Sequence, residues 1–132
     1  SLPARILGPQ EEKAILEAAE RDLLTQYGLR SLAPSDPKYT GGYSGDRRAR
    51  DHAYHNGIVW SWLIGPYLDA CARVRGREKA ASHIKPLKEF VSQNGMGTVP
   101  ELFEPESLEP RGCFSQAWGV AEWLRVMAEY TE

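Results

Sequence analysis

Glu101 stands in the segment Val99-Pro100-Glu101-Leu102-Phe103-Glu104, a carboxylate set between apolar neighbours. Taking such a group out of water disfavours its charged form and raises its pKa, which suits it to acid or base work. Read blandly, the same residue is a solvated loop acid, and the sequence leaves both readings open; Glu104, Glu106 and Glu109 read as rim charges. His55, in Ala53-Tyr54-His55-Asn56-Gly57, brings two ring nitrogens beside the Asn56 amide. These groups suit a polyhydroxylated ligand, or else they satisfy free backbone donors at a helix start. Trp60, Trp62, Trp118 and Trp123 form two pairs. Trp60 and Trp118 sit at loop-proximal ends, where a flat ring face can meet a sugar ring, and Trp62 and Trp123 read as core. Core packing is also the ordinary role of any single tryptophan. Gln116, polar among apolar neighbours, needs a partner if buried, and a ligand hydroxyl would serve.

Other chemistries lack support. His52 and His55 make a His-x-x-His spacing, but Cys71 and Cys113 add no matching ligand spacing, so no metal site is expected. No Gly-x-Gly-x-x-Gly, phosphate loop or Gly-x-Ser-x-Gly elbow occurs, and no cofactor is expected. The 132 residues carry 16 basic and 18 acidic side chains, a net charge of -2, which provides no positive field for a nucleic-acid backbone. Two cysteines are too few for a secreted disulfide framework, so reduced thiols and a cytoplasmic location are expected. The longest uncharged run, residues 53–68, includes His55, Asn56, Ser61 and Pro66. It is shorter than the roughly 20 apolar residues that span a bilayer, so no membrane segment is expected.

Helices must position these groups. Residues 9–28 place Ile15, Ala18, Ala19 and Leu23 at helical spacing after a Gly8-Pro9 start with acids in the first turn, and Gly28 reads as the stop. Residues 30–51 hold Pro34, Pro37, Gly41, Gly42 and Gly45 and predict a long irregular loop. Residues 53–74 are apolar nearly all round, predicting a buried helix kinked at Gly65-Pro66. A one-sided helix follows over residues 80–92, with Ile84, Leu87, Phe90 and Val91 opposite Lys85, Lys88 and Glu89. A second irregular stretch over residues 94–112 leads into a last buried helix at residues 113–130. No alternating strand pattern is present. The pattern is all-α: two helical hairpins whose long loops share one end, as at the rim of an α/α toroid.

Three ordered motifs carry a resemblance. The run Ala53-Tyr54-His55-Asn56-Gly57-Ile58-Val59-Trp60-Ser61-Trp62-Leu63-Ile64-Gly65-Pro66-Tyr67 comes first, then Pro100-Glu101-Leu102-Phe103-Glu104, then Gly112-Cys113-Phe114-Ser115-Gln116-Ala117-Trp118-Gly119-Val120-Ala121-Glu122. Together they resemble the C-terminal end of the amylo-alpha-1,6-glucosidase family, which includes the glucosidase domain of glycogen debranching enzymes. Gly28-Leu29-Arg30-Ser31-Leu32 with Asp36, Tyr39 and Tyr43 extends the likeness from about Gly28 onward. Four positions depart from it: Ser61, Gly119 and Ile58 stand where that family more often has Pro, Ser and Thr, and Glu104 stands where Asp is common.

The resemblance implies that residues 1–132 are the C-terminal fragment of a glucosidase domain and form the last four helices of an (α/α)6 toroid. It implies removal of α-1,6-linked glucose from glycogen-like glucans with inversion. That chemistry uses two carboxyl groups roughly 6.5 to 9.5 Å apart. By motif match Glu101 is similar to the general base, and Tyr54, His55, Trp60, Gln116 and Trp118 fall where glucose is bound. No residue here matches the general acid, which implies an inactive isolated chain with an α-glucan or oligosaccharide as its ligand. The competing expectations are a noncatalytic carbohydrate-binding or assembly module, or a piece of a trehalase-like or mannosyl-oligosaccharide glucosidase-like toroid enzyme. The start at Ser1, without Met, reads as that of a cut piece. Buried helices without ring neighbours would then drive self-association.

Overall fold

Helix α1 (Pro9–Asp22) begins where the sequence places it. Proline occupies the first turn, and Glu11 Oε2 accepts the Gly8 N–H at 2.8 Å, so the acid closes the open end of the helix. Its inward side chain is Leu16, while Ile15 faces out at 58% exposure. The helix stops six residues before Gly28. Thr25 N–H and Oγ1 both donate to the Gly28 carbonyl, turning the chain into strand β1 (Leu29–Arg30). Gly28 therefore serves the sheet: a Cβ there would lie 2.2 Å from the Trp60 carbonyl oxygen. The computed structural model describes residues 5–93 and 97–131. Ser1, at which the cut-piece reading was made, and Asn94 and Gly95 of the second irregular stretch lie outside the described residues.

The chain is predominantly helical, but the all-α expectation is corrected by a small antiparallel sheet. Strands β1, β2 (Val59–Trp60), β3 (Leu102–Phe103) and β4 (Pro110–Arg111) lie in that order, with Leu29 opposite Trp60, Val59 opposite Phe103 and Leu102 opposite Arg111. Each strand is two residues long, too short for a period of two to show in sequence. The sheet stitches the two long loops together. A short helix α2 (Arg47–Ala53) also lies within the expected loop, capped by Asp46 Oδ1 on the Ala49 N–H at 2.8 Å.

The buried helix starts later than expected. Gly57 has φ +134°, outside the helical region, and a Cβ there would meet the Tyr39 ring at 2.6 Å. Ile58, Val59 and Trp60 then suit the central strand, and residues 61–63 make one 3₁₀ turn before α3 (Ile64–Arg75). Pro66 thus falls in the first turn of α3, where a missing N–H costs no intrahelical bond, and the expected mid-helix kink does not arise. The single helix expected over residues 80–92 is two, α4 (Arg77–Ser82) and α5 (Lys85–Gln93). Pro86 explains the break, since it could not donate to residue 82 in a continuous helix. The predicted stripe Ile84, Leu87, Phe90 and Val91 is buried. The last helix, α6 (Ala117–Tyr130), is one-sided: Trp123 and Val126 face inward, while Trp118 and Leu124 are exposed.

Helix α3 packs against α1, α4 and α6. Leu68 and Cys71 of α3 and Phe103 of β3 are fully buried, and Phe103 meets Tyr27 and Phe90 at ring separations of 4.9 and 5.1 Å. A second, smaller cluster of Ile58, Trp60 and Leu102 lies under Tyr43, Tyr54, Trp62 and Leu63. Glu101 borders this aromatic cluster. Among the described residues no helix is long and apolar enough to cross a membrane.

Candidate functional site

The turn between α2 and β2 delivers Tyr54 and His55. Asn56 holds that turn: its N–H donates to the Ala53 carbonyl at 3.0 Å, and its side-chain amide donates to the His52 carbonyl at 2.7 Å. One amide donor that the sequence offered to a ligand is therefore used within the protein. Trp60 Nε1–H donates to the Tyr54 carbonyl at 3.0 Å, fixing strand and turn to each other. The Tyr54 ring meets Trp60 edge-on at 4.5 Å and His55 at 4.9 Å, while exposed His55 lies parallel to Trp60 at 5.8 Å.

Glu101 arrives from the other long loop. Its N–H donates to the Cys113 carbonyl at 2.9 Å, and its own carbonyl accepts the Ser61 N–H at 3.3 Å. The Ser61 hydroxyl is shared between the Pro100 and Glu101 carbonyls at 2.6 and 3.1 Å. On the carboxylate, Oε1 accepts the Tyr54 hydroxyl and Oε2 accepts the Cys113 N–H at 2.9 Å. Gly112 makes room, with φ +68° and a virtual Cβ only 2.6 Å from Oε2. Burial and the adjacent Glu101 carboxylate push the Tyr54 phenol up, so it remains a protonated donor at neutral pH.

The neighbouring acids are held differently. Glu104 pairs with Arg111 Nε at 2.8 Å, and its side chain is 12% exposed, so it is no rim charge. Glu106 approaches Arg30 at 3.7 Å, and Glu109 meets Arg111 at 2.8 Å; both remain at the rim. Among the described residues no cation pairs with Glu101. It is half-buried, oriented by two neutral donors, and bordered by aromatic rings. Each carboxylate oxygen has two lone pairs, so each keeps one beyond the bond described.

Comparison with known protein families matches residues 1–125 of the 132 to amylo-alpha-1,6-glucosidase. The chain belongs to the amylo-alpha-1,6-glucosidase family. All three motif segments that carry the resemblance lie within the matched span. Of the four departures, Ser61 and Gly119 prove to be neighbours: a Cβ on Gly119 would lie 2.7 Å from Ser61 Oγ. The absent side chain at Gly119 leaves the space that the Ser61 hydroxyl occupies.

Within this glucosidase-related domain the other expected site residues divide. Tyr54, His55, Trp60 and Glu101 share one cluster. Trp60 is only 9% exposed and works as the cluster's floor. Trp118 is 53% exposed and lies on Trp62 with ring centroids 3.9 Å apart and planes within 17°. Trp62 therefore supports a neighbouring ring instead of filling the main core, whereas Trp123 is buried as expected. Gln116 is the N-cap residue of α6, its N–H donating to the Val99 carbonyl at 3.3 Å, and its Oε1 is buried without a partner among the described residues. The sequence reading missed the Cys113 N–H and Gly112 as positioning groups. Their signal was the Gly112-Cys113 pair opening the third motif.

One trio of metal-compatible groups also escaped the sequence: Glu20, Cys71 and His83 bring ligand atoms within 4.8 Å of one another. Its members come from three elements, so no spacing announces them. Protein groups already engage it, with Arg75 on Glu20 at 2.5 Å and the Tyr67 hydroxyl 3.2 Å from both Glu20 and His83. Burial pushes the Cys71 thiol up, and burial followed by Lys79 pushes His83 down, so both are neutral groups inside a hydrogen-bonded knot.

Proposed function

We propose that residues 1–132 form the C-terminal piece of a glycogen-debranching-enzyme-like (α/α)6 glucosidase domain and supply its general base and part of its sugar pocket. The observation that carries this reading is Glu101: a half-buried carboxylate that no cation pairs with among the described residues, fixed by Tyr54 and the Cys113 N–H beside aromatic rings. In hydrolysis of an α-1,6-linked glucose, a water hydrogen-bonded to a free lone pair of Glu101 passes its proton to the carboxylate as its oxygen attacks the anomeric carbon. The bond to the leaving oxygen breaks on the opposite face as the parent enzyme's general acid protonates that oxygen, giving inversion. Protonated Tyr54 cannot accept that proton and acts to hold Oε1 in place. The general acid belongs to an upstream part of the parent enzyme, so the isolated chain is hydrolytically inactive.

Replacing Glu101 with Gln in the parent enzyme is expected to lower hydrolysis of an α-1,6-branched glucan by about 100- to 10,000-fold. Unchanged turnover overturns the assignment. The same reading includes a cytoplasmic location, consistent with two free cysteines, and self-association of the isolated chain. Ile6, Leu7 and Ile15 are exposed around an apolar cavity of about 370 Å³ between α1 and α3. Sedimentation at micromolar concentration checks this, with a dimer or larger species expected and a monodisperse monomer against it.

A further inference from the structure

We propose that Glu104 is a positioning residue for Glu101: its carboxylate grips the two segments that bring the Tyr54 hydroxyl and the Cys113 N–H to the Glu101 oxygens. This role deepens the glucosidase reading above, on which it rests, and acts through neighbouring groups instead of on the sugar.

Three observations join. First, one carboxylate holds both segments. Glu104 Oε1 accepts the Arg111 Nε–H at 2.8 Å, and the Tyr43 N–H donates to Oε2 at 3.1 Å and to Oε1 at 3.3 Å. Two acceptor oxygens serve a guanidinium and a backbone amide at once, which an amide side chain cannot do, because its NH2 would face one of the two donors. Second, each held group leads to a donor of Glu101. The Tyr43 ring packs on the Tyr54 ring at 6.1 Å, and Tyr54 donates to Glu101 Oε1. Arg111 pairs with Leu102 across the sheet and stands two residues before Cys113, whose N–H donates to Glu101 Oε2. A shift of the Glu104 carboxylate is therefore felt at both oxygens of Glu101. Third, Glu104 is itself fixed. Its N–H donates to the Glu109 carbonyl at 2.9 Å, and its carbonyl accepts the Leu108 N–H at 3.1 Å, closing a turn. In that turn Leu108 has φ +57°, and among the described residues no other non-glycine residue has a positive φ. A leucine held there costs conformational energy and persists where the surrounding bonds over-determine it. The Glu104 side chain, 12% exposed, is thus built as an anchor.

The test is steady-state kinetics of the parent enzyme on an α-1,6-branched glucan. Glu104→Gln is expected to lower kcat about tenfold with KM close to normal. In a Tyr54→Phe background its further effect is expected to shrink to about twofold, because both changes act on one carboxylate. Glu109→Gln removes the exposed partner of Arg111 but leaves Tyr43 held, and it is expected to keep kcat unchanged. Circular dichroism verifies folding. Should Glu104→Gln not fold, Arg111→Lys at a more exposed residue loosens the same grip, with about a threefold loss of kcat expected. Deuterium exchange of the 132-residue chain reads the geometry without turnover. The Cys113 amide is expected to exchange about tenfold faster in Glu104→Gln, with the α6 amide of Val120 unchanged. Normal kcat in the folded variant, an undiminished loss on top of Tyr54→Phe, an equal loss in Glu109→Gln, or equal acceleration at Cys113 and Val120 overturns the positioning role. Lost turnover in Glu101→Gln beside normal kcat in Glu104→Gln defeats the positioning role alone. Retained turnover in Glu101→Gln beside faster exchange confined to Cys113 defeats the base assignment alone.

Discussion

Two of the tyrosine–glutamate pairs in the molecule, Tyr67–Glu20 and Tyr54–Glu101, sit in contrasting surroundings. In the helical core, Tyr67 donates to Glu20 at 3.2 Å, Arg75 neutralises the same carboxylate at 2.5 Å, and His83 completes the knot. At the aromatic face, Tyr54 donates to one oxygen of Glu101, and the Cys113 N–H donates to the other. Burial raises the phenol pKa in both, so both tyrosines are donors. What differs is the counter-ion. A carboxylate balanced by an arginine at the margin of the packed helices ties α1 to α3, whereas one fixed by neutral donors keeps lone pairs that no cation occupies among the described residues.

Exchanging the two acids gives the largest contrast. Glu101→Gln should abolish most of the parent's turnover, as above, while shifting stability by less than about 1 kcal/mol, because the amide oxygen still accepts one of the two hydrogen bonds. Glu20→Gln should do the reverse. Arg75 and Tyr67 lose their charged acceptor, and urea unfolding should show a loss of about 1–3 kcal/mol. Equal loss of stability in the two variants would erase the distinction between knot and site.

The tyrosines sharpen it. Tyr67→Phe removes the hydroxyl between Glu20 and His83, with an expected cost of about 1–2 kcal/mol in the chain's unfolding free energy. Tyr54→Phe frees Glu101 Oε1 and should cost less than that, at about 0.5–1 kcal/mol, since water can reach a half-buried oxygen. Its effect should fall on the parent's kcat, about tenfold, while KM stays close to normal, as expected of a positioning residue. A normal kcat would show that the Tyr54 bond orients nothing.

Gly112→Ala acts on the aromatic face alone. The added methyl would meet Glu101 Oε2 at 2.6 Å on a backbone of φ +68°. The expected cost is about 1–2 kcal/mol from the left-handed conformation and the displaced carboxylate. Gly97, with φ +80° but nothing within 4 Å of a virtual Cβ, supplies the control. Its alanine variant meets the backbone penalty without the clash, and the difference in melting temperature isolates the carboxylate's share.

The contrast between the regions also sets what the sequence disclosed. The stripe of Ile84, Leu87, Phe90 and Val91 was legible because helical packing repeats in sequence and needs no distant partner. The candidate site was legible only as separate pieces. Glu101 stood out through Pro100 and Leu102, and Tyr54 and His55 through their place before an apolar run, but nothing local joins residues 54 and 101. The junction is a sheet of two-residue strands, below the length at which alternation registers, and its correct pairing depends on Gly28 and Gly57 meeting Trp60 and Tyr39. The extended helix over residues 53–63 failed for the same reason: apolar content was read as helix where tertiary pairing favoured a strand. The Glu20–Cys71–His83 knot left no trace because its spacing belongs to the packing of α1, α3 and the α4–α5 turn.

The smallest expected effect is a pH dependence confined to the core knot. Burial, together with Lys79 and Arg75, lowers the His83 pKa against the opposing pull of Glu20. In the unfolded chain this imidazole returns to its ordinary value of about 6.5. Below that pH the unfolded state binds a proton that the folded state resists, so the His83 contribution is fully present above about pH 6.5 and is lost as pH falls toward the lowered folded pKa. The slope from this one group cannot exceed about 1.4 kcal/mol per pH unit. Unfolding of the chain by urea across this window should therefore lose stability on acidification, and His83→Gln should flatten the profile, since glutamine does not titrate. A profile that keeps its slope in His83→Gln would assign the acid loss to other groups and take the pH sensitivity out of the knot.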